Sequence, residues 1–207
     1  MRAWLVCMLL VAAACEKKPP ATTTNGSGSS AAAEKDPEQE RFDAERRPDK
    51  VVEALGIKPG SIVADIGAGS GLLTVHLARA VAPNGKVVAT DVDGTVLELL
   101  AQRLRAANLG KIVEARVVAA DTPGLEPGMY DAILLAEVDH YITDAPAWLR
   151  EAGKALKPGG RIVISNRIYH RTQSMASAKK AGLVLISEST PVPTHFIAVF
   201  GVEEPKK

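Results

Sequence analysis

Ile62-Val63-Ala64-Asp65-Ile66-Gly67-Ala68-Gly69-Ser70-Gly71 is the stretch that decides the fold. A β-branched, apolar run closes on an acid, glycines follow at alternate positions, and Leu72-Leu73-Thr74-Val75-His76-Leu77-Ala78 takes over with helical spacing. The pattern predicts a strand, a tight turn and a helix start. Glycine serves such a turn in two ways: it reaches backbone conformations closed to other residues, and it leaves room for a ligand against the main chain. The helix start behind it presents free N–H groups and the positive end of the helix dipole. The spacing Asp65-x-Gly67-x-Gly69-x-Gly71 differs from the GxGxxG of dinucleotide turns and from the lysine-bearing phosphate loop.

Further strands follow the same plan. Lys86 to Val92 is a buried-strand pattern carrying Asp91 at its end, where an acid is placed to accept hydrogen bonds from ribose hydroxyls. Ala115 to Thr122 again ends in an acid, Asp121, and Tyr130 to Val138 leads through Glu137 into Asp139-His140-Tyr141. Gly159 to Ser165 reads as a fifth strand, with Leu183 to Ser187 and His195 to Val202 after it. Helices are expected over Asp49 to Leu55, from Gly71 to Pro83, over Gly94 to Asn108, after Asp144, and over Thr172 to Ala181. Alternating strands and helices, closed by two strands joined through Pro191-Val192-Pro193, imply an α/β fold with a doubly wound, mostly parallel sheet and a terminal hairpin.

The acid-plus-glycine loop, the tip acids, Lys58-Pro59-Gly60 and Leu156-Lys157-Pro158-Gly159-Gly160 together resemble class I S-adenosylmethionine-dependent methyltransferases. The nearest likeness is to small bacterial methyltransferases and the quinone-ring methyltransferase group. The resemblance implies seven strands in the order 3-2-1-4-5-7-6, the seventh antiparallel, and S-adenosylmethionine as cofactor. It implies that Asp65, Gly67, Gly69 and Gly71 cradle the methionine moiety, that Asp91 holds the ribose, that Asp121 and Thr122 border the adenine, and that Glu137 joins the cofactor-binding set. Glu137 to Tyr141 fall where the family places its reacting centre.

The chain has 207 residues, enough for one ordinary domain, and its 25 Lys plus Arg against 24 Asp plus Glu provide no net charge to recruit a polyanion. Nucleic acid is not an expected partner. Met1-Arg2 and an apolar run to Ala14, too short to span a bilayer, read as an export signal ending at Cys15. It resembles a bacterial lipoprotein signal, with Cys15 as the lipid anchor to a membrane of the cell envelope. Ala12 stands where leucine is commonest, so cleavage by ordinary signal peptidase is the alternative. The expected organisation is a signal over residues 1–15, a flexible linker over 16–38, rich in Thr, Gly, Ser and Ala, and the methyltransferase domain over 39–207. With Cys7 and Cys15 inside the signal, the mature domain is cysteine-free.

Methyl transfer from a sulfonium is an in-line displacement, governed by positioning, with a base needed only when the acceptor must lose a proton. His140 is the candidate base, with Glu137 and Asp139 near enough in sequence to orient it or raise its pKa. Tyr141 is placed either to stack on the acceptor or to close the core. A magnesium site from Glu137, Asp139 and Asn166 is not expected, because the adjacent Asp-Asn pair of catechol-type enzymes is missing. Arg167, Tyr169, His170 and Arg171 read as a solvated loop, with the binding of an acidic acceptor as the alternative. The acceptor is expected to be a small molecule or a protein side chain. The methyl donor is made in the cytosol, so an exported chain raises a competing reading: a non-catalytic module of the same fold that binds a nucleoside or related metabolite.

Overall fold

The computed structural model describes residues 36–203; the expected signal and most of the expected linker lie outside them. Seven strands form one sheet in the order β3-β2-β1-β4-β5-β7-β6, where β1 is Ile62–Ile66, β2 Lys86–Asp91, β3 Val113–Val117, β4 Tyr130–Ala136, β5 Leu156–Arg167, β6 Leu183–Val192 and β7 His195–Val202. The first five pair in parallel, and β7 runs antiparallel between β5 and β6. This is the order implied by the resemblance. Among the described residues no helix is long and apolar enough to cross a membrane.

Period-two alternation on the central strands fixes which side chain faces which helical layer. Ala64, Ile133, Leu135, Ile162 and Ile164 pack with Trp148 and Leu149 of helix α5 (Ala145–Lys154) on one face. Val63, Ala132, Leu134 and Val163 pack on the other against Val51 and Leu55 of α2 (Pro48–Leu55) and Leu77 and Val81 of α3 (Thr74–Val81). Because β1 and β4 are covered on both faces, they read as largely apolar runs, interrupted only by Asp65 and Asp131. Each fully buried Leu or Ile there is worth about 1.5–3 kcal/mol of transfer free energy. Helix α4 (Gly94–Ala106) buries Leu97, Leu100 and Leu104 at helical spacing, and the Asp93 carboxylate accepts from Thr95 N at 2.8 Å to cap it. Helix α6 (Arg171–Lys180) packs beside α5.

Three departures from the sequence reading bear on the site. Helix α1 (Pro37–Arg46) was not expected, and it begins within the range assigned to the linker. It buries no residue fully, so it has no apolar stripe; its signature is Asp36 at the N-cap, Pro37 at the first position and Glu38 and Glu40 in the first turn. The third strand stops at Val117 instead of running to Asp121. Val118 N donates to Asp91 O at 3.0 Å as the chain leaves the sheet, so Asp121 lies in the following loop, not at a strand tip. Helix α3 begins at Thr74, leaving Gly71 in the turn.

Candidate active site

The carboxyl ends of β1, β2 and β4 enclose a cavity of about 310 Å³ bordered by Gly67, Thr90, Asp91, Val118, Thr122, Glu137, Val138, Tyr141, Ile142 and Trp148. Gly67 and Glu137 also border a second cavity of about 250 Å³, lined by Phe42, Arg46, Asp65, Gly69, Ser70, Leu72 and Leu73. Phe42, Arg46 and Leu72 continue into a third, about 530 Å³, with Arg41, Arg167, Thr194 and His195. The three hollows follow one another along the top of the sheet, outside the switch between β1 and β4 where ligands of such folds sit.

The glycine loop is built by three different requirements. Gly67, Gly69 and Gly71 all have positive φ, at 65°, 55° and 85°. A Cβ on Gly67 would lie 2.7 Å from Val138 Cγ2, and one on Gly71 would lie 2.8 Å from Leu100 Cγ, whereas Gly69 faces open space. Gly69 is therefore the position where a ligand has room against the backbone, while Gly71 is needed for packing against α4. Gly69 N donates to Asp91 Oδ2 at 2.9 Å and Asp93 N donates to Asp91 Oδ1 at 3.0 Å, so the second strand's acid is held rigidly at the edge of the first cavity.

Asp65 is 2% exposed and accepts from Thr74 Oγ1 at 2.7 Å. Burial pushes its pKa up to about 6, opposed by the Thr74 hydrogen bond and assisted by the Asp91 charge. A buried acid in this state is stabilised by an incoming cation. Thr90, fully buried beside Asp91, has a hydroxyl with no hydrogen-bond partner, and it borders the first cavity. Orphaned buried hydroxyls are uncommon enough to mark a place where a ligand completes the bonding. Sequence reading had assigned Thr90 no role.

Across the site, Glu137 gathers basic groups from three distant segments. Its Oε2 accepts from Arg46 Nη1 at 2.8 Å; its Oε1 accepts from His195 Nε2 at 2.8 Å and from Arg167 Nε at 3.0 Å. Burial alone would raise the Glu137 pKa, but the His195 hydrogen bond and the Arg46 charge outweigh it and bring it down to about 2. Because a carboxylate only accepts, His195 carries its proton on Nε2, and the Thr194 hydroxyl, 2.8 Å away, donates to Nδ1. Glu137 has φ 55°, a conformation that costs a non-glycine residue about 1–2 kcal/mol and is retained here by those bonds.

Helix α1 covers the glycine loop. Arg103 of α4 donates to Asp36 Oδ2 at 3.0 Å, to Glu38 Oε2 at 2.6 Å and to the Ser70 carbonyl. Gln39 Nε2 donates to Leu72 O at 2.9 Å, and Asp43 pairs with His76 at 2.7 Å. Arg46 of α1 forms part of the wall of the second and third cavities.

Other sequence candidates fall unevenly. Thr122 borders the first cavity, whereas Asp121 is exposed and lines a separate surface groove with Pro123 and Glu126. Tyr141 borders the first cavity and is 77% exposed, so it does not close the core. His140 contacts Tyr141 at 4.0 Å between ring centroids and stacks on His170 at 3.9 Å, but it does not border the cavities described above. Burial and then the adjacent His170 lower its pKa against the pull of Asp139 and Glu137, the opposite of the expected rise. Asp139, 3% exposed, reaches His140 only through Asn166.

The sheet order and the cavities at its carboxyl edge define a class I, S-adenosylmethionine-dependent methyltransferase fold. A structure of an S-adenosylmethionine-dependent methyltransferase from Aquifex aeolicus superposes with a TM-score of 0.71 over 80% of this chain and 93% of that one, at 22% identity. An O-methyltransferase from Thermotoga maritima does so with a TM-score of 0.63 over 78% and 66%, also at 22% identity. Residues 64–162 match the family model described as a methyltransferase domain. The ubiquinone/menaquinone biosynthesis C-methyltransferase of Hahella chejuensis is 30% identical over 113 residues, covering 55% of this chain and 45% of the relative. The Escherichia coli counterpart is 31% identical over 115 residues with the same coverage. The chain spans about half the length of these curated relatives.

Proposed function

We propose that this protein is an S-adenosylmethionine-dependent methyltransferase whose donor site is the pair of cavities joined at Gly67 and Glu137. The observation that carries the reading is the β2 tip: a rigidly held Asp91 carboxylate beside the orphaned Thr90 hydroxyl, facing a loop whose middle glycine has open space. S-adenosylmethionine, when bound, supplies an electrophilic methyl group on a sulfonium. Asp91 and Thr90 would hold the ribose end. The apolar wall of Val118, Ile142 and Trp148 would take the adenine, with Thr122 at its rim. Asp65 and the Gly67–Gly69 backbone would hold the methionine end, the buried Asp65 carboxylate complementing a cation.

The acceptor would enter through the third cavity, on the side of Arg167 and His195, with Tyr141 standing at the rim of the donor cavity. Protein groups would accelerate the transfer by bringing the partners in line and excluding water, effects that can supply several kcal/mol of the barrier. The matched relatives are, by name, C-methyltransferases of ubiquinone/menaquinone biosynthesis; the acceptor here is either a small molecule or a protein side chain. The reading of a binding module without turnover is not favoured, although a [4+2]-cyclase with a TM-score of 0.62 shows that this fold hosts other chemistry. Calorimetric titration with S-adenosylmethionine, followed by a metabolite screen for transfer of labelled methyl, tests the proposal. Failure to bind the donor would sink it.

The N-terminal reading belongs to the same proposal. Lipidation at Cys15 would tether the domain to the cell envelope, since two or more acyl chains suffice for stable anchoring. Cys15→Ser should then release the protein from the membrane fraction or leave it unprocessed; a wild-type chain recovered soluble with its N-terminus intact would contradict it.

A further inference from the structure

Behind the rim of the site, a chain of obligatory hydrogen bonds fixes the state of His140. Arg167 N donates to Asn166 Oδ1 at 2.7 Å, which sets the orientation of the Asn166 amide. Its nitrogen then has two hydrogens to place. One goes to Asp139 Oδ1 at 2.6 Å, and the other points at His140 Nδ1, 2.9 Å away. Asp139 cannot turn aside, because its second oxygen accepts from Ser174 Oγ at 2.5 Å. Asn166 is fully buried and Asp139 nearly so, leaving no water to rescue a misplaced donor. An amide N–H pointing at Nδ1 requires a lone pair there, so the neutral ring carries its proton on Nε2.

We propose that Asn166 is a positioning residue that locks His140 as the neutral Nε2–H tautomer, so that the ring has no free lone pair with which to act as a general base in the methyl transfer. This deepens the methyltransferase reading and rests on it. The lone pair a general base would need is occupied by Asn166. The favoured acceptor is then an oxyanion or enolate-like group that arrives deprotonated, so no proton has to be removed in the transfer. Burial and the adjacent His170, which lower the His140 pKa, likewise favour the neutral ring.

Long-range proton–nitrogen correlation spectra of the ¹⁵N-labelled full chain at neutral pH read the tautomer directly, with His140→Gln identifying the signals. Wild type should show an unprotonated-type Nδ1 and a protonated-type Nε2, and Asn166→Ala should average the two. A wild-type Nδ1–H tautomer, or a pattern unmoved by Asn166→Ala, would overturn the lock; should that variant fail to fold, the wild-type spectrum decides alone. Absence of S-adenosylhomocysteine binding would instead refute the donor-site reading, leaving the tautomer result standing.

Discussion

The two halves of the site are built from different materials. The donor half comes from one short stretch of chain and the tip of the next strand, and its key features are backbone: three positive-φ glycines, two main-chain N–H groups on Asp91, and one acid buried behind them. The proposed acceptor half, and the wall it shares with the donor cavities, is assembled from side chains that meet across the molecule, with Arg46 of α1, Arg167 of β5 and His195 of β7 converging on the Glu137 carboxylate after β4. A site made by backbone geometry needs particular residues at fixed spacing and leaves a mark in sequence. A site made by long-range ion pairs leaves almost none.

The comparison breaks most visibly at the glycines. Gly71→Ala and Gly67→Ala should each cost about 1–3 kcal/mol in backbone strain and a similar amount in overpacking, against Leu100 and Val138 respectively. Gly69→Ala meets open space and should carry the strain alone. Urea unfolding of the three variants would show that order, and equal losses would mean the loop is not divided as described.

Glu137→Gln probes the other half. It removes the one carboxylate shared by Arg46, Arg167 and His195, and should cost about 1.5–3 kcal/mol, the range for hydrogen bonds to a charged group. The Glu137 pKa is depressed in the folded chain, so its contribution is complete above about pH 4.5 and is lost as pH falls towards 2. The variant should lack that component of acid sensitivity in a pH series of unfolding curves.

Asp65 behaves with the opposite sign. Its folded pKa is raised from 3.8 to about 6, so ionising it destabilises the fold, fully above about pH 6 and progressively less towards 3.8. Asp65→Asn, which can keep the Thr74 hydrogen bond, should raise stability at neutral pH by something on the order of 2 kcal/mol while weakening donor binding. In the wild type, affinity for S-adenosylmethionine should fall as pH drops below about 6, because a protonated Asp65 no longer complements a cation. Calorimetry across that range checks both signs. The smallest effect is expected from Arg103→Ala, which frees one end of α1; ion pairs of this partly exposed kind contribute about 1 kcal/mol or less.

Much of the fold was legible because its strands are buried on both faces and its glycine loop has a fixed spacing. Helix α1 escaped because a polar lid has no apolar period, although Asp36-Pro37-Glu38 carried its start signal. Thr90 was hidden inside an ordinary strand pattern, where only the structure reveals that its hydroxyl lacks a partner. His195 opens an otherwise apolar strand, and that anomaly was the one available hint of its pairing with Glu137. Asp121 shows the converse error: an acid after an apolar run looked like a strand tip, but an edge strand can leave its ladder early, as β3 does at Val117.

The most direct test of the division between the halves is donor affinity measured by titration calorimetry with S-adenosylmethionine on wild type, Asp91→Ala and Arg167→Ala. Asp91→Ala should lose about 1.5–3 kcal/mol of binding free energy. Arg167→Ala, on the acceptor side and about half exposed, should bind the donor within about twofold of wild type, a difference of less than about 0.5 kcal/mol. A folded Asp91→Ala variant with unchanged affinity, or an Arg167→Ala variant that loses as much as Asp91→Ala, would contradict the account.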